Sequence, residues 1–149
     1  MIMPVNLLPG PVKISKEIQE SFGKPPISHR GEEFIGEFDL TKQLLCDLVS
    51  ATEVEMFMGS GTLANDVIAG QLSVEETPGI ILSNGEFGER IADHARRFNL
   101  PFKLLQRSWR EPFDQTDVID TIDNFHETKW VWAVHCETST GMLNDIEFL

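Results

Sequence analysis

The chain has 149 residues and a formal net charge of −12, with 41% hydrophobic and 24% charged residues. These proportions are typical of a globular domain that is long enough to bury a core. The negative charge argues against nucleic acid or an anionic membrane as a partner, because both would repel the chain. Backbone N–H groups can still bind a small anion locally. Two cysteines without framework spacing, and the lack of a signal-peptide pattern, predict a cytoplasmic protein.

The first third of the chain predicts an arm followed by one long helix. Residues 1–30 are rich in proline and glycine and predict an extended N-terminal arm, with a short helix near residues 15–21. Apolar residues then recur at helical spacing between 32 and 51, which predicts an amphipathic helix. We therefore divide the chain into an arm, 1–30, and a partial large domain, 31–149.

From residue 52 onward, the sequence predicts strands that alternate with helices. Strands are expected at 52–58, 79–83, 101–109 and 129–137, and helices at 60–73, 88–99 and 113–127. This order is typical of an α/β fold with a mostly parallel sheet and flanking helices. Another helix is expected to begin at 145–149, so the sheet is predicted to be unfinished. An unfinished sheet would expose apolar surface and favour self-association.

Three glycine-containing loops follow the predicted strands, at the edge where parallel sheets bind ligands. Their sequences are GSGT (59–62), NGEFGER (84–90) and HCETSTG (135–141). The start of the helix after GSGT favours a phosphate, although Ser60 or Thr62 could merely cap that helix. Phe87 could lie flat against a planar ring or fill the top of the core. Thr138 could hydrogen-bond a ligand or only cap its loop.

The same loops leave other functions open. The pattern Gly-x-Gly-x-x-Ala at 59–64 matches the dinucleotide fingerprint of a nucleotide-dependent oxidoreductase, but the next strand ends in Ser83 and Asn84 instead of an acidic residue. The His-x-Glu triplet at 135–137 lacks the cysteine partners of a zinc deaminase, so no metal is predicted. A third possibility is a degenerate binding or interaction domain that kept the fold and lost the chemistry.

At these motifs the chain resembles the first half of the class V aminotransferases, which are pyridoxal-phosphate enzymes of fold type I. Five motifs in the family's order carry the resemblance: LLPGPV (7–12), SHRGEEF (28–34), GSGT, NGEFGER and HCETSTG. The chain is most similar to the alanine–glyoxylate or serine-type and the phosphoserine-type members. The resemblance implies the large domain of fold type I, pyridoxal 5'-phosphate as cofactor, and a homodimer. The implied reaction moves an amino group between a small amino acid and a 2-oxo acid.

The resemblance also implies which residues bind the cofactor. The phosphate would be cradled by Ser60, Gly61 and Thr62. Phe87 would stack on the pyridine ring, at a position where relatives carry an aromatic residue. Thr138 would reach the hydroxyl group of the ring.

The resemblance further implies substrate contacts, and it marks what the chain lacks. Gly10 and Pro11 would help to seat the substrate carboxylate. His29 and Arg30 match a pair that meets the substrate phosphate across the subunit interface in phosphoserine-type relatives. The family's pyridine-binding aspartate, Schiff-base lysine and substrate arginine would all follow residue 149. We therefore expect no catalytic residue in this chain and no transamination by the chain alone.

Overall fold

The computed structural model describes Gly10, residues 12–145 and Glu147. The chain forms two compact units, 1–56 and 57–149. The predicted division into an arm, 1–30, and a partial large domain stays a prediction. The helix expected at 145–149 falls largely outside the described residues.

The first unit contains the two helices that the sequence predicts. Helix α1 (Lys16–Ser21) begins after Ser15, whose side chain accepts a hydrogen bond from the N–H of Ile18. Helix α2 (Glu32–Val49) ends at Ser50, which has a left-handed φ of 54°. None of the residues of α2 is buried, so its apolar face lies open within the described unit.

The strand predicted at 52–58 is wrong, because no described strand pairs with these residues. Val54 and Met56 are half-buried, whereas Glu53 and Glu55 are exposed, so the alternation of a strand is present. Alternation alone does not make a strand, since the backbone N–H and C=O groups also need a neighbour.

The second unit alternates helices with parallel strands, as predicted. Its elements are α3 (Gly61–Glu75), β1 (Gly79–Ser83), α4 (Glu86–Arg97), β2 (Phe102–Gln106), α5 (Gln115–Asp123), β3 (Trp130–Ala133), β4 (Cys136–Glu137) and β5 (Met142–Leu143). The three longer strands form a parallel sheet in the order β2-β1-β3, and β4 and β5 form a short antiparallel hairpin. The order of parallel strands and crossover helices confirms the predicted α/β class.

The core lies on both faces of β1, which is the central strand and is buried throughout. Ile81 packs on one face with residues of α3 and α4, among them Ala69 and Ile91. Ile80 and Leu82 pack on the other face around Val118 of α5. Helices therefore cover both faces of the sheet, and the carboxyl end of β1 is held rigidly between them.

The fourth predicted strand is shorter and less buried than the sequence indicates. The expected strand at 129–137 ends at Ala133, and the chain turns before it continues as β4. Trp130 and Trp132 are only half-buried and Val131 is 36% exposed, because among the described residues β3 pairs only with β1. No helix in the described part of the chain is long and apolar enough to cross a membrane.

Candidate functional site

A cavity of about 330 Å³ lies beside the carboxyl end of β3. Phe87 and Thr138 both line it, so the structure brings together two of the residues that the sequence predicted to bind one ring. The other lining residues come from α3, α4, β3, β4 and the turn between these two strands: Asn65, Ile91, Trp132, Ala133, Val134 and Cys136. The wall is therefore mostly apolar, with a few polar groups among the lining side chains, as is usual in small-ligand sites.

Phe87 occupies the first turn of α4 and is 38% exposed, so it does not fill the top of the core. The guanidinium carbon of Arg90 lies 5.2 Å from the centroid of the Phe87 ring, within cation–π range. The Nε of Arg90 is itself held 2.9 Å from Oε1 of Glu86. The ring thus has a fixed cationic neighbour, which limits its reorientation.

Glu137 is the residue of this site that sequence reasoning missed. Its side chain is 0% exposed, and its Oε2 accepts hydrogen bonds of 3.1 Å from the N–H groups of both Phe87 and Gly88. These N–H groups stand at the start of α4, where a helix has unpaired donors and a positive dipole end. The buried carboxylate therefore caps α4 and is compensated by the helix.

The second oxygen of Glu137 binds the next turn of its own loop. Oε1 accepts from the N–H of Ser139 at 3.2 Å and from its hydroxyl at 2.5 Å. The Ser139 hydroxyl oxygen in turn accepts from the N–H of Glu86 at 3.1 Å. The loops 84–90 and 135–141 are thus joined around one carboxylate.

Two glycines of the NGEFGER loop are required by close packing, one against Glu137 and one against the end of β1. A Cβ at Gly85 would lie 2.6 Å from Cδ of Glu137, and a Cβ at Gly88 would lie 2.7 Å from Cα of Ser83. Both distances are far below ordinary van der Waals contact. A side chain at Gly85 would therefore push the two loops apart, and one at Gly88 would push α4 away from β1. Gly85, followed later by an acidic residue, is the sequence signal from which the contact with Glu137 could have been found.

A buried amide pair anchors the β4–β5 hairpin to the end of β1. Nδ2 of Asn84 donates to Oδ1 of Asn144 at 2.8 Å, and the reverse contact measures 3.2 Å. Nδ2 of Asn144 also donates to the carbonyl of Val134 at 2.7 Å. Because Asn84 is 1% and Asn144 is 4% exposed, these bonds lie in a low-dielectric environment and hold the hairpin tightly.

Ser60, Gly61 and Thr62 lie at the start of α3, as predicted. Ser60 is the N-cap residue and has an extended backbone, but its side chain makes no capping hydrogen bond. A Cβ at Gly61 would meet no described atom within 4 Å, so the backbone there is open to a ligand. Asn65, one turn further along α3, lines the cavity with Phe87. The start of α3 thus leads towards the cavity.

The four predicted substrate residues belong to the first unit or fall outside the description. Gly10 is exposed with a φ of +97°, and Pro11 lies outside the described residues. His29 and Arg30 are exposed in the turn before α2, where the N–H of Arg30 donates to the hydroxyl of Ser28 at 3.3 Å. Their contact with a substrate stays a prediction.

Comparisons with known proteins cover nearly the whole chain. No family model matches it. The "Soluble hydrogenase 42 kDa subunit" of Anabaena cylindrica is 32% identical over 94% of this chain and 37% of that protein. The L-aspartate–glyoxylate aminotransferase of Paracoccus denitrificans is 29% identical over 93% of this chain and 36% of that protein. Several further matches also carry aminotransferase names.

Solved structures of aminotransferases also match the chain. The crystal structure of the ureidoglycine–glyoxylate aminotransferase from Bacillus subtilis matches with a TM-score of 0.82 and 25% identity, over 99% of this chain and 39% of that chain. The chain spans about two fifths of the length of the relatives that it matches. In sequence and in fold, the chain is similar to a part of the class V aminotransferases of fold type I.

Proposed function

We propose that the chain is the N-terminal, cofactor-binding portion of a homodimeric, cytoplasmic aminotransferase that uses pyridoxal 5'-phosphate. The parent enzyme transfers an amino group between a small amino acid and a 2-oxo acid. The observation that carries the proposal is the shared cavity of Phe87 and Thr138 beside the open start of α3. Two of the relatives named above are glyoxylate aminotransferases, which supports a small 2-oxo acid as the acceptor.

The cofactor phosphate binds at the start of α3, because the starts of the other two helices in the second unit are already occupied. Glu137 accepts the first N–H groups of α4. Oδ1 of Asp114 accepts the N–H of Thr116 at 2.8 Å at the start of α5. Among the described side chains, none caps α3 in this way. Its free N–H groups and dipole suit a phosphate, and Gly61 lets the phosphate approach closely.

The pyridine ring lies in the cavity, where its volume of about 330 Å³ falls in the usual range for small-ligand sites, roughly 300–1,000 Å³. Phe87 supports one face of the ring, and the hydroxyl of Thr138 hydrogen-bonds the ring hydroxyl. Ile91 and Trp132 provide apolar walls beside the ring. The bound cofactor supplies the electron sink for amino transfer, and these residues bind and orient it.

The chain does not provide the lysine that this chemistry requires. Lys103 is the second residue of β2, and Lys129 precedes β3, so both lie near the amino ends of their strands. The cavity is beside the carboxyl end of β3. We therefore propose that the lysine comes from polypeptide outside these 149 residues, in the same or in a second chain.

Ser60→Asp tests the phosphate site, because its effects on folding and binding have opposite signs. Aspartate is a good N-cap residue, so the helix should be kept or slightly stabilised, whereas its charge should repel the phosphate. Ser60→Asn is the matched control, since it caps equally well without charge. We expect cofactor affinity at least about tenfold lower for Ser60→Asp than for Ser60→Asn, in titrations followed by the circular dichroism of the bound cofactor. Equal affinities would refute the phosphate site.

The parent enzyme is tested by the mass of the native polypeptide, captured from its source cells with an antibody to this chain. We expect a mass well above 16.8 kDa and, after borohydride reduction, a pyridoxyl group on a lysine outside residues 1–149. A mass matching this chain, without a partner that carries the lysine, would instead favour the degenerate binding domain. Retention of a nicotinamide cofactor would favour the oxidoreductase.

A further inference from the structure

We infer that Glu137 is a positioning residue for the proposed cofactor site, and that its buried carboxylate sets the positions of Phe87 and Thr138 together. The inference rests on the proposed function for its consequence in binding. The positioning of Phe87 and Thr138 itself is inferred only from contacts within the chain.

Each carboxylate oxygen of Glu137 holds a different part of the site. Oε2 holds the start of α4 through the N–H groups of Phe87 and Gly88, and Oε1 holds Ser139 through two hydrogen bonds. Thr138 lies between Glu137 and Ser139 in the chain, so both of its neighbours are fixed by the same carboxylate. A displacement of this group therefore moves both cavity residues, one on each loop.

The chemistry of the contact requires a carboxylate. All four contacts come from donors, and no described cationic side chain forms an ion pair with Glu137. A carboxylate accepts at both oxygens, whereas a glutamine has one acceptor and one NH₂ group. In Glu137→Gln, the NH₂ group must face either the N–H groups of α4 or the donors of Ser139. If the NH₂ group faces α4, the buried N–H of Gly88 loses its acceptor. If it faces Ser139, the hydroxyl can accept from it, but the N–H of Ser139 loses its acceptor.

The same carboxylate also prevents a competing anion site. The N–H groups of Phe87 and Gly88 would otherwise be free at the start of α4, as the first N–H groups are at the start of α3. Because Glu137 occupies them and adds a negative charge, the start of α4 repels a phosphate. The cofactor phosphate is thereby directed to Ser60–Thr62.

The first test titrates pyridoxal 5'-phosphate into the 149-residue chain and into Glu137→Gln. We expect at least about tenfold weaker binding and a changed circular dichroism of the bound cofactor in the variant. Val118→Ala, in the core on the α5 side of the sheet, is the control for lost stability. It should unfold more easily but bind the cofactor like the wild type. Wild-type affinity and dichroism in Glu137→Gln would overturn the inference.

The second test separates this inference from the proposed function and uses no cofactor. Amide NMR signals of both Phe87 and Thr138 should shift in Glu137→Gln and stay in place in Val118→Ala. Movement of only one of the two would overturn the joint positioning. If Glu137→Gln does not fold, Ser139→Ala, which removes the hydroxyl contacts, should still shift both signals, with the larger change at Thr138. Absence of cofactor binding by the wild-type chain would contradict the proposed cofactor site but not this result.

Discussion

Gly88→Ala should destabilise the second unit, although alanine favours a helix more than glycine does. Gly88 lies in the first turn of α4, directly over the end of β1. A Cβ there would lie 2.7 Å from both Cα and Oγ of Ser83. Ordinary contact begins at 3.4 Å, so the helix and the strand would have to separate by about 0.7 Å. Ser83 is 1% exposed in the central strand, so α4 has to move instead.

The expected magnitude is the difference between two opposing effects. Overpacking of this kind costs about 1–3 kcal/mol, and replacing glycine inside a helix returns about 1 kcal/mol at most. Because the obstructing atoms include backbone, we expect a net loss of about 1–2 kcal/mol, or roughly 2–8 °C in Tm. Gly36→Ala is the matched control, since a Cβ at Gly36 in α2 would meet no described atom within 4 Å. It should stabilise its helix by about 0.5–1 kcal/mol.

Unfolding in urea measures both variants. All three tryptophans lie in the second unit, so their fluorescence reports Gly88→Ala, and far-ultraviolet circular dichroism reports Gly36→Ala. We expect the free energy of unfolding to fall in Gly88→Ala and to rise in Gly36→Ala. A Gly88→Ala chain that is as stable as the wild type, or more stable, would refute the close packing of α4 on β1.

Three further predictions concern stability, ionisation and solubility. Asn144→Ala removes three buried hydrogen bonds and should cost about 2–4 kcal/mol in urea unfolding, whereas Asn124→Ala, which removes one exposed bond, should cost less than about 1 kcal/mol. The hydrogen bond to Glu55 raises the pKa of Lys42 above its ordinary value. The stability that this adds is fully present below the pKa of the unfolded state and is lost as the pH rises through the pKa of the folded state. Glu55→Gln should therefore lower the pKa of Lys42 in an NMR titration. Leu48 is 78% exposed on α2, so Leu48→Lys should reduce self-association in light scattering without loss of helix; unchanged association would exclude this face.

The central strand and the helices that pack on it could be predicted from local sequence, because their burial follows the spacing of their apolar residues. GIILS at 79–83 is an uninterrupted apolar run with turn residues after it, and both of its faces are buried. The strand predicted at 52–58 failed because its residues have the right alternation but no described strand to pair with. Strand identity depends on a partner elsewhere in the chain, which local patterns do not contain.

The break between β3 and β4 was equally beyond local patterns. Residues 129–137 have the composition of one continuous strand. The turn at Val134 and His135 is held by Asn144, which donates to both of their carbonyls at 2.7 Å. A contact between residues nine or ten positions apart thus ends a strand that propensity alone would continue.

In the candidate site, too, some features could be predicted from the order of the strands, whereas others depend on contacts between residues far apart in the sequence. The meeting of Phe87 and Thr138 was predictable because β1 and β3 are parallel neighbours, and their carboxyl ends share one edge. The burial of Glu137 was not, because an acidic residue beside Thr-Ser-Thr has the pattern of an exposed loop. Its side chain is 0% exposed only because α4 begins where its carboxylate can accept two N–H groups.

These contacts bear on how an acidic chain holds the anionic cofactor that we propose. With a net charge of −12, the general field repels a phosphate, and no lysine or arginine lines the cavity. Within these 149 residues, we therefore expect the attraction to come from backbone dipoles, which act over short distances and carry no net charge. Of the three helix starts in the second unit, that of α4 already holds the carboxylate of Glu137 and that of α5 holds the carboxylate of Asp114. The free start of α3 is then the place where the chain's own geometry favours a phosphate, and Glu137 contributes both by ordering the ring contacts and by closing the alternative.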